Sequence, residues 1–483
     1  MSNSLKTNTF FNFIKTISTI LFPLITFPYV TRVLLPANVG KVNFAVAFVS
    51  YFSLIASLGI GTYAIRECAA VRDNKDNLDY TASQIFSINA ITTFISYIAL
   101  FLTLLLFRDL DYYRVLIIIE STTILFTTLG ADWLNSAMED FKYITIRTVC
   151  MQAFSVVAML LFVREVDDYY NYAIISVLAK SGANIANVWY RKRYCKISFT
   201  LDIEWKRHIV PIFYLFAMML SQVVFSNADV TMLGIMCSDF EVGIYSTAHK
   251  ATTLISTIVS SVFFVLMPRL SYYFACEDYS NVNRMLEKLF AINIGLGLPC
   301  FTGVVMLATD IVYVIGGKAF VAAAPVLQIL MLSFLFSLVG GNFLGNAVLI
   351  PSKREKYYMF VCSVTAVCNV FLNYLLIPHY ATNGAAIATA FNGFVIMVLL
   401  LLKLDKNIII PIKRSIILPP VVGCLLITLV CYICKHIDAY IIRFLLSVLL
   451  SGIIYGLTLI AFKYEIFFSV IKPILQKKLH IGE

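Results

Sequence analysis

Charge is what this sequence has least of. Asp, Glu, Lys and Arg make up 13% of its 483 residues, and histidine occurs five times. A folded domain surrounded by water carries about a quarter charged residues, so a water-soluble globule is excluded. Long polar connections are also missing, which leaves no extramembrane domain to house a catalytic centre. The largest loops hold no paired carboxylates and no histidine cluster at catalytic spacing, so a membrane glycosyltransferase or polymerase is disfavoured. The eleven cysteines are scattered, mostly within apolar runs, and form no disulfide framework. Cys431-Tyr-Ile-Cys434 lacks the second pair that a zinc site needs. No signal peptide is expected, because the first apolar run is too long and no small-residue cleavage site follows it.

What is present is apolar sequence: 60% of the residues are hydrophobic. A membrane-spanning helix needs roughly 20 mostly apolar residues, and about fourteen runs of that kind follow one another from 10–34 to 440–462. Barrel strands are short and alternate in polarity, and these runs do neither. The expected fold is an all-α integral membrane protein of about 14 transmembrane helices.

The net charge of +10 is a matter of topology. With the N-terminus in the cytoplasm, 26 of the 37 Lys and Arg fall on the cytoplasmic side and 8 on the other. The remaining three, Lys15, Lys180 and Lys250, lie within helices. That bias follows the positive-inside rule and sets both termini in the cytoplasm. Nucleic acid is not implied.

Internal repetition organises the chain. Gly40-Lys-Val-Asn-Phe-Ala aligns with Gly243-Ile-Tyr-Ser-Thr-Ala, and Arg66 meets Arg269 at the same offset. Transporters are commonly built from such repeats. The expected organisation is a six-helix bundle over 1–190, a cytoplasmic linker over 191–207, and a second six-helix bundle over 208–404. Two additional helices and a tail follow over 405–483.

Polar side chains inside a bilayer point into the bundle or line a wet cavity. Asn8, Asn12, Lys15 and Thr19 share one face of the first helix, as Ser176, Lys180, Asn184 and Asn187 share one face of the sixth. Gln222, Ser226 and Asp229 form a stripe on the seventh helix. His249, Thr253, Ser256 and Ser260 do so on the eighth, with Lys250 beside them. Glu120, Thr123 and Thr127 mark the fourth. Ser, Thr and Asn often only tie helices together, but each buried charge costs about 2.5–3.5 kcal/mol by insertion scales. Lys180 and Asp229 are therefore the first candidates for a cavity lining. Pro23 and Pro28 are expected to bend the first helix and serve as a kink or gate, with Arg32 at its outer end.

Several stretches together resemble the Wzx-type polysaccharide flippases of the multidrug/oligosaccharidyl-lipid/polysaccharide exporter superfamily. Pro28-Tyr-Val-Thr-Arg-Val-Leu34 followed by Gly40-Lys-Val-Asn-Phe resembles the family's opening. Tyr51–Ile60, with Tyr63 and Arg66-Glu67, continues it. Met267-Pro-Arg-Leu-Ser271, Asn369–Tyr380 and Gly384–Thr389 are similar to later segments. Two positions depart from the pattern: Leu35, before Pro36, and Ala381 stand where the family usually has glycine.

The resemblance implies two six-helix bundles of the MATE type facing a central cavity in a bacterial inner membrane. It implies a transporter with no cofactor. Its substrate would be a polyprenyl-diphosphate-linked oligosaccharide of the O-antigen or capsule kind, moved outward by alternating access. Lys180, His249, Lys250, Arg32 and Lys15 are the basic groups expected to ease passage of the diphosphate. Asn184, Asn187 and Gln222 are candidates for sugar hydroxyls, and Asp229 or Glu120 for coupling to H⁺ or Na⁺. Such a protein is expected to meet membrane lipid and to work beside a polysaccharide polymerase. A multidrug or metabolite exporter on the same fold is the nearest alternative.

Overall fold

The computed structural model describes residues 5–464, and among them there are helices and turns but no strand. The chain divides into two compact units, Met1–Gly243 and Ile244–Glu483.

In the first unit, α1 (Leu5–Ser57) packs against α3 (Lys75–Leu106), α4 (Arg114–Gly130), α6 (Phe141–Phe162) and α9 (Trp205–Met236). The short α2 (Ile60–Ala70) and α5 (Trp133–Ala137) pack together at one end. Helix α7 (Tyr169–Val177) widens into a π turn over Leu178–Gly182 and continues as α8 (Ala183–Tyr190). The first turn of α10 (Asp239–Ala275) also belongs to this unit.

The second unit continues with α11 (Tyr279–Met306), α12 (Ala308–Gly316), α13 (Ala323–Ser337) and a π-helical stretch over Leu338–Leu349. Helices α14 (Glu355–Leu402), α15 (Arg414–Cys434) and α16 (Tyr440–Ala461) complete it. Helix α11 packs on both α13 and α15, and α15 packs on α16.

These helices are built outside-in relative to a soluble protein. On α3 the exposed side chains include Phe94, Ile98, Phe101 and Leu105, a spacing that keeps them on one face. The buried face carries Gln84, Ser87, Asn89, Thr93 and Ser96. A bilayer welcomes the first set and penalises the second. Local chemistry fixes the starts: Asn74, Asp140 and Asp278 accept the backbone N–H three residues on, capping α3, α6 and α11.

Ten helices among the described residues are long and apolar enough to cross a membrane, or eleven if bent α10 is one span. The protein is thus a multi-pass membrane protein. Two of these helices are each interrupted once, so helices and crossings do not match one for one. In α1 the interruption is at Leu35 (φ 62, ψ 169), and in α14 at Ala381 (φ 46, ψ −126). The prolines Pro23 and Pro28 lie within continuous helical dihedrals, and the break falls next to Pro36 instead. A residue before proline is pushed out of the helical region, which accounts for that position.

Leu35 occupies backbone space that is essentially reserved for glycine, at a cost of about 1–3 kcal/mol. Its side chain is exposed, so little packing is lost on removing it. Leu35→Gly is expected to raise stability by about 1 kcal/mol, after the larger unfolded-state entropy of glycine is deducted. A melting curve of the purified variant in detergent checks this, and a lower melting temperature would show that Leu35 is not strained.

Candidate functional site

The candidate residues fall into separate groups. Glu120 on α4 is 3% exposed, and its Oε1 has no hydrogen-bond partner. Lys180, exposed on the π turn, is close enough for its ammonium to act on that carboxyl. Tyr172 on α7 feels the same carboxyl. A π turn rotates a helix face by adding one residue, and here the added residue falls beside the lysine. The first unit therefore places a buried carboxyl on α4 within electrostatic reach of an exposed lysine on the π turn, without a direct ion pair between them.

Asn184 and Asn187 sit about one and two turns further along. Asn187 is wholly buried, accepts from Asn135 Nδ2 at 2.6 Å and donates to the Gly130 carbonyl at 2.6 Å. Both ends of its amide are engaged in holding the break between α4 and α5. Asn184, half-buried, rests against Gly130 so closely that a Cβ there would meet its side chain at 2.5 Å. Arg147 reinforces the same break by pairing with Asp132, and Arg191 donates to the Leu129 carbonyl at 2.7 Å.

Gln222 is exposed on α9 and lines a groove of about 360 Å³ with Ser50, Ser53 and Ser57 of α1. Two turns on, Asp229 is 3% exposed and acts on the Tyr51 hydroxyl, which lies 3.2 Å from Thr231 Oγ1. Lys15 is half-buried and Arg32 exposed on α1. His249 and Lys250, both half-buried, lie on α10 in the second unit, with the His249 ring parallel to that of buried Tyr245 at 5.9 Å. The structure thus brings Lys180 within electrostatic reach of Glu120, and sets Gln222, on the same helix as Asp229, against the serines of α1.

At the end of the first unit that carries the 191–207 connection, a second cavity of about 750 Å³ is lined by Arg72, Lys142, Arg193, Tyr143, Tyr190 and Tyr194, among others. Burial alone would push the Asp140 carboxyl up. The Tyr194 and Tyr190 hydroxyls and the Tyr143 amide donate to it, and together with Arg193 they hold it below the usual carboxylate range. In the connection itself, burial and the nearby Asp79 push the Cys195 thiol up to about 12, so it stays protonated.

Some polar groups escaped the sequence reading. His208 is completely buried between Tyr63 and Gln84, each at 2.7 Å. Asn369, Asn373 and Thr389 form a buried, hydrogen-bonded polar cluster across the two sides of the Ala381 break, and buried Asn392 follows one turn beyond Thr389. The i, i+4 spacing of Asn369 and Asn373, within the segment Asn369–Tyr380, is the sequence signal for this cluster. Among the described residues no group of three or more His, Cys, Asp or Glu could hold a metal ion.

The fold class is clear from solved structures. The chain is similar to the lipid II flippase MurJ in an inward closed conformation, with a TM-score of 0.74 over 96% of this chain and 100% of that one, at 15% identity. A multidrug resistance MATE family transporter in an inward-facing conformation gives 0.62 over 80% of this chain and 93% of the other, at 14% identity. Both likenesses speak to fold alone. Residues 5–274, more than half of the chain, match the polysaccharide biosynthesis protein family, and the chain belongs to it. Residues 215–375 also match the MatE family. Curated relatives include a putative O-antigen transporter of Escherichia coli, 22% identical over 84% of this chain and 97% of that protein. A second putative O-antigen transporter, from Shigella dysenteriae, is 24% identical over 80% and 96%. A capsular polysaccharide biosynthesis protein, CapF of Staphylococcus aureus, is 21% identical over 76% and 91%.

Proposed function

We propose that this protein is a flippase, not an enzyme. It carries polyprenyl-diphosphate-linked oligosaccharide repeat units of the O-antigen or capsule kind from the cytoplasmic to the periplasmic leaflet. It sits in a bacterial inner membrane with both termini in the cytoplasm, works by alternating access, and supplies a polysaccharide polymerase. Its repeats are the six-helix bundles of 1–190 and 208–404, joined by 191–207, with about fourteen crossings in all. The observation that carries this reading is the family match over 5–274, together with near full-length relatives named as O-antigen transporters.

The residue chemistry supports the reading. A lipid diphosphate is anionic, and a cation in a wet, low-dielectric cavity lowers the cost of bringing it across hydrocarbon. Lys180 is exposed, with the partly unsatisfied Glu120 behind it. In this reading the substrate phosphate competes with Glu120 for the ammonium, and the released carboxylate takes up a proton or Na⁺. Lys15 and Arg32 are the further basic groups of the first unit and His249 and Lys250 those of the second, Asn184 and Gln222 bind sugar hydroxyls, and Asp229 is the second coupling group. Pro23 and Pro28 soften α1 for the gating movement. Asn187 serves this cavity indirectly, through the α4–α5 break that it holds.

Deleting the gene in its host and extracting lipid-linked intermediates tests the proposal. Lost surface polymer with intact lipid-linked oligosaccharide on the cytoplasmic side is the expected result. Unchanged polymer with new sensitivity to cationic compounds would make the protein a drug exporter on the same fold. Lys180→Ala, at matched membrane expression, is expected to cut surface polymer at least tenfold, the equivalent of one ion pair of about 1.4 kcal/mol. Normal polymer in that variant would remove Lys180 from the cavity.

A further inference from the structure

A cavity of about 840 Å³ in the second unit lies where α11 and α15 begin and α16 ends. Its charged lining is one-sided. Arg284 and Lys288 come from α11, Arg414 from the first residue of α15, and Lys463 from just past α16. All four are exposed, and none makes an ion pair with a described residue. The one acid in the lining, Glu287, is already paired with Lys413 at 2.5 Å. Helix α15 has no side-chain cap, so the first N–H groups of its opening turn add positive potential at the same spot.

The rest of the lining is built differently. Ile292, Leu418, Pro419 and Phe462 face the cavity. From there exposed apolar side chains continue along the helices, with Leu296 on α11 and Leu425 and Leu429 on α15. The floor is rigid. Tyr464 is buried, and its hydroxyl lies 2.9 Å from the Ala291 carbonyl and 3.3 Å from that of Ile416, tying α11 and α15 to the end of the fold.

A cavity with four cations that make no ion pair with a described residue at one end and an oily track at the other matches an amphiphile with a polyanionic head. The segment 465–483, outside the described residues, has three lysines against two glutamates and offers no charge complement. We propose that this pocket binds the headgroup of an anionic phospholipid of the cytoplasmic leaflet, one carrying two phosphates, whose chains lie along α11 and α15. The leaflet assignment rests on the orientation proposed above; the binding chemistry does not.

The test uses the purified, delipidated full-length chain and native mass spectrometry. The probes are cardiolipin, phosphatidylethanolamine, inorganic diphosphate and undecaprenyl diphosphate. Cardiolipin is expected to bind well ahead of phosphatidylethanolamine and to resist competition by inorganic diphosphate. The double variant Arg284→Ala/Arg414→Ala is expected to weaken it about 25-fold, roughly fivefold for each charge near the headgroup. Glu287→Gln removes the only acid of the lining and is expected to tighten binding, which a merely misfolded protein would not do. Equal cardiolipin affinity in wild type and double variant would overturn the proposal. So would a clear preference for undecaprenyl diphosphate, which would make the pocket a substrate site, or equal occupancy by inorganic diphosphate, which would make it a soluble-anion site. Because binding is read without transport, its failure is separate from failure of the flippase reading, which the gene deletion addresses.

Discussion

Arg443→Met is expected to destabilise the second unit by about 3–5 kcal/mol, the cost of leaving a buried carboxylate without its cation. Arg443, near the start of α16, holds Asp310 in the first turn of α12 with two nitrogens. Its Nε lies 2.9 and 3.0 Å from the two carboxylate oxygens, and a third donor reaches the Ile437 carbonyl at 3.1 Å. The side chains of the pair are 15% and 6% exposed. The guanidinium also lies over the Tyr440 ring, which is stacked in turn on Tyr313 at 4.3 Å.

With both partners present, the desolvation of each is offset by five or so directed contacts; with one gone, none of that remains. The companion variant Asp310→Asn/Arg443→Met removes both charges and is expected to recover most of the loss. Unfolding of the two single variants and the double variant in one detergent completes the cycle. Equal destabilisation in the single and double variants would mean that the pair acts through packing, not charge.

Gly243→Ala is the other substitution with a large expected effect, here through backbone sterics. A Cβ on Gly243 would overlap the Pro36 carbonyl oxygen, and a Cβ on Gly40 would overlap that of Asp239. Both obstacles are main chain, so no side chain can swing away. The start of α10 would have to move off α1, and the 2.5 Å bond from the Tyr113 hydroxyl to Asp239 would be lost with it. Overpacking usually costs about 1–3 kcal/mol and sometimes more, and two rigid backbones put this case at the upper end. The expected result is little protein in the membrane and no surface polymer. Gly303→Ala is the control: nothing lies within 4 Å of its added Cβ, and in a helix interior it is expected to be neutral or slightly stabilising. Equal behaviour of the two variants would show that the close approach at Gly243 is not required.

The same two glycines show how much could be read in advance. Their shared motif suggested a repeat, while their mutual packing became visible only in three dimensions. The positions where family glycines are replaced, Leu35 and Ala381, turned out to be the two positive-φ breaks in the long helices. A glycine preference records a backbone angle, so that part of the fold was legible. The proline pair gave no hint of the break at Leu35, which lies before a third proline, Pro36.

Among the site residues, helical spacing set Lys180 in a stripe on its own helix but could not find Glu120, which belongs to another helix. The π turn beside Lys180 has no local sequence signature. Arg147 and Arg443 were counted as loop charges for topology, and a charge count says nothing about which distant carboxylate will claim each one.

The outward face of α3 has a consequence for how this family changes over time. Phe94, Ile98, Phe101 and Leu105 need only be oily, since lipid chains conform to whatever shape they meet. Selection has little to grip there, so such surfaces are free to drift through any apolar sequence. What must persist is the inner set of small and polar side chains, and the few glycines where one backbone touches another. A chain constrained that way can keep its architecture while four residues in five are replaced, which is the distance that separates this protein from its O-antigen transporter relatives.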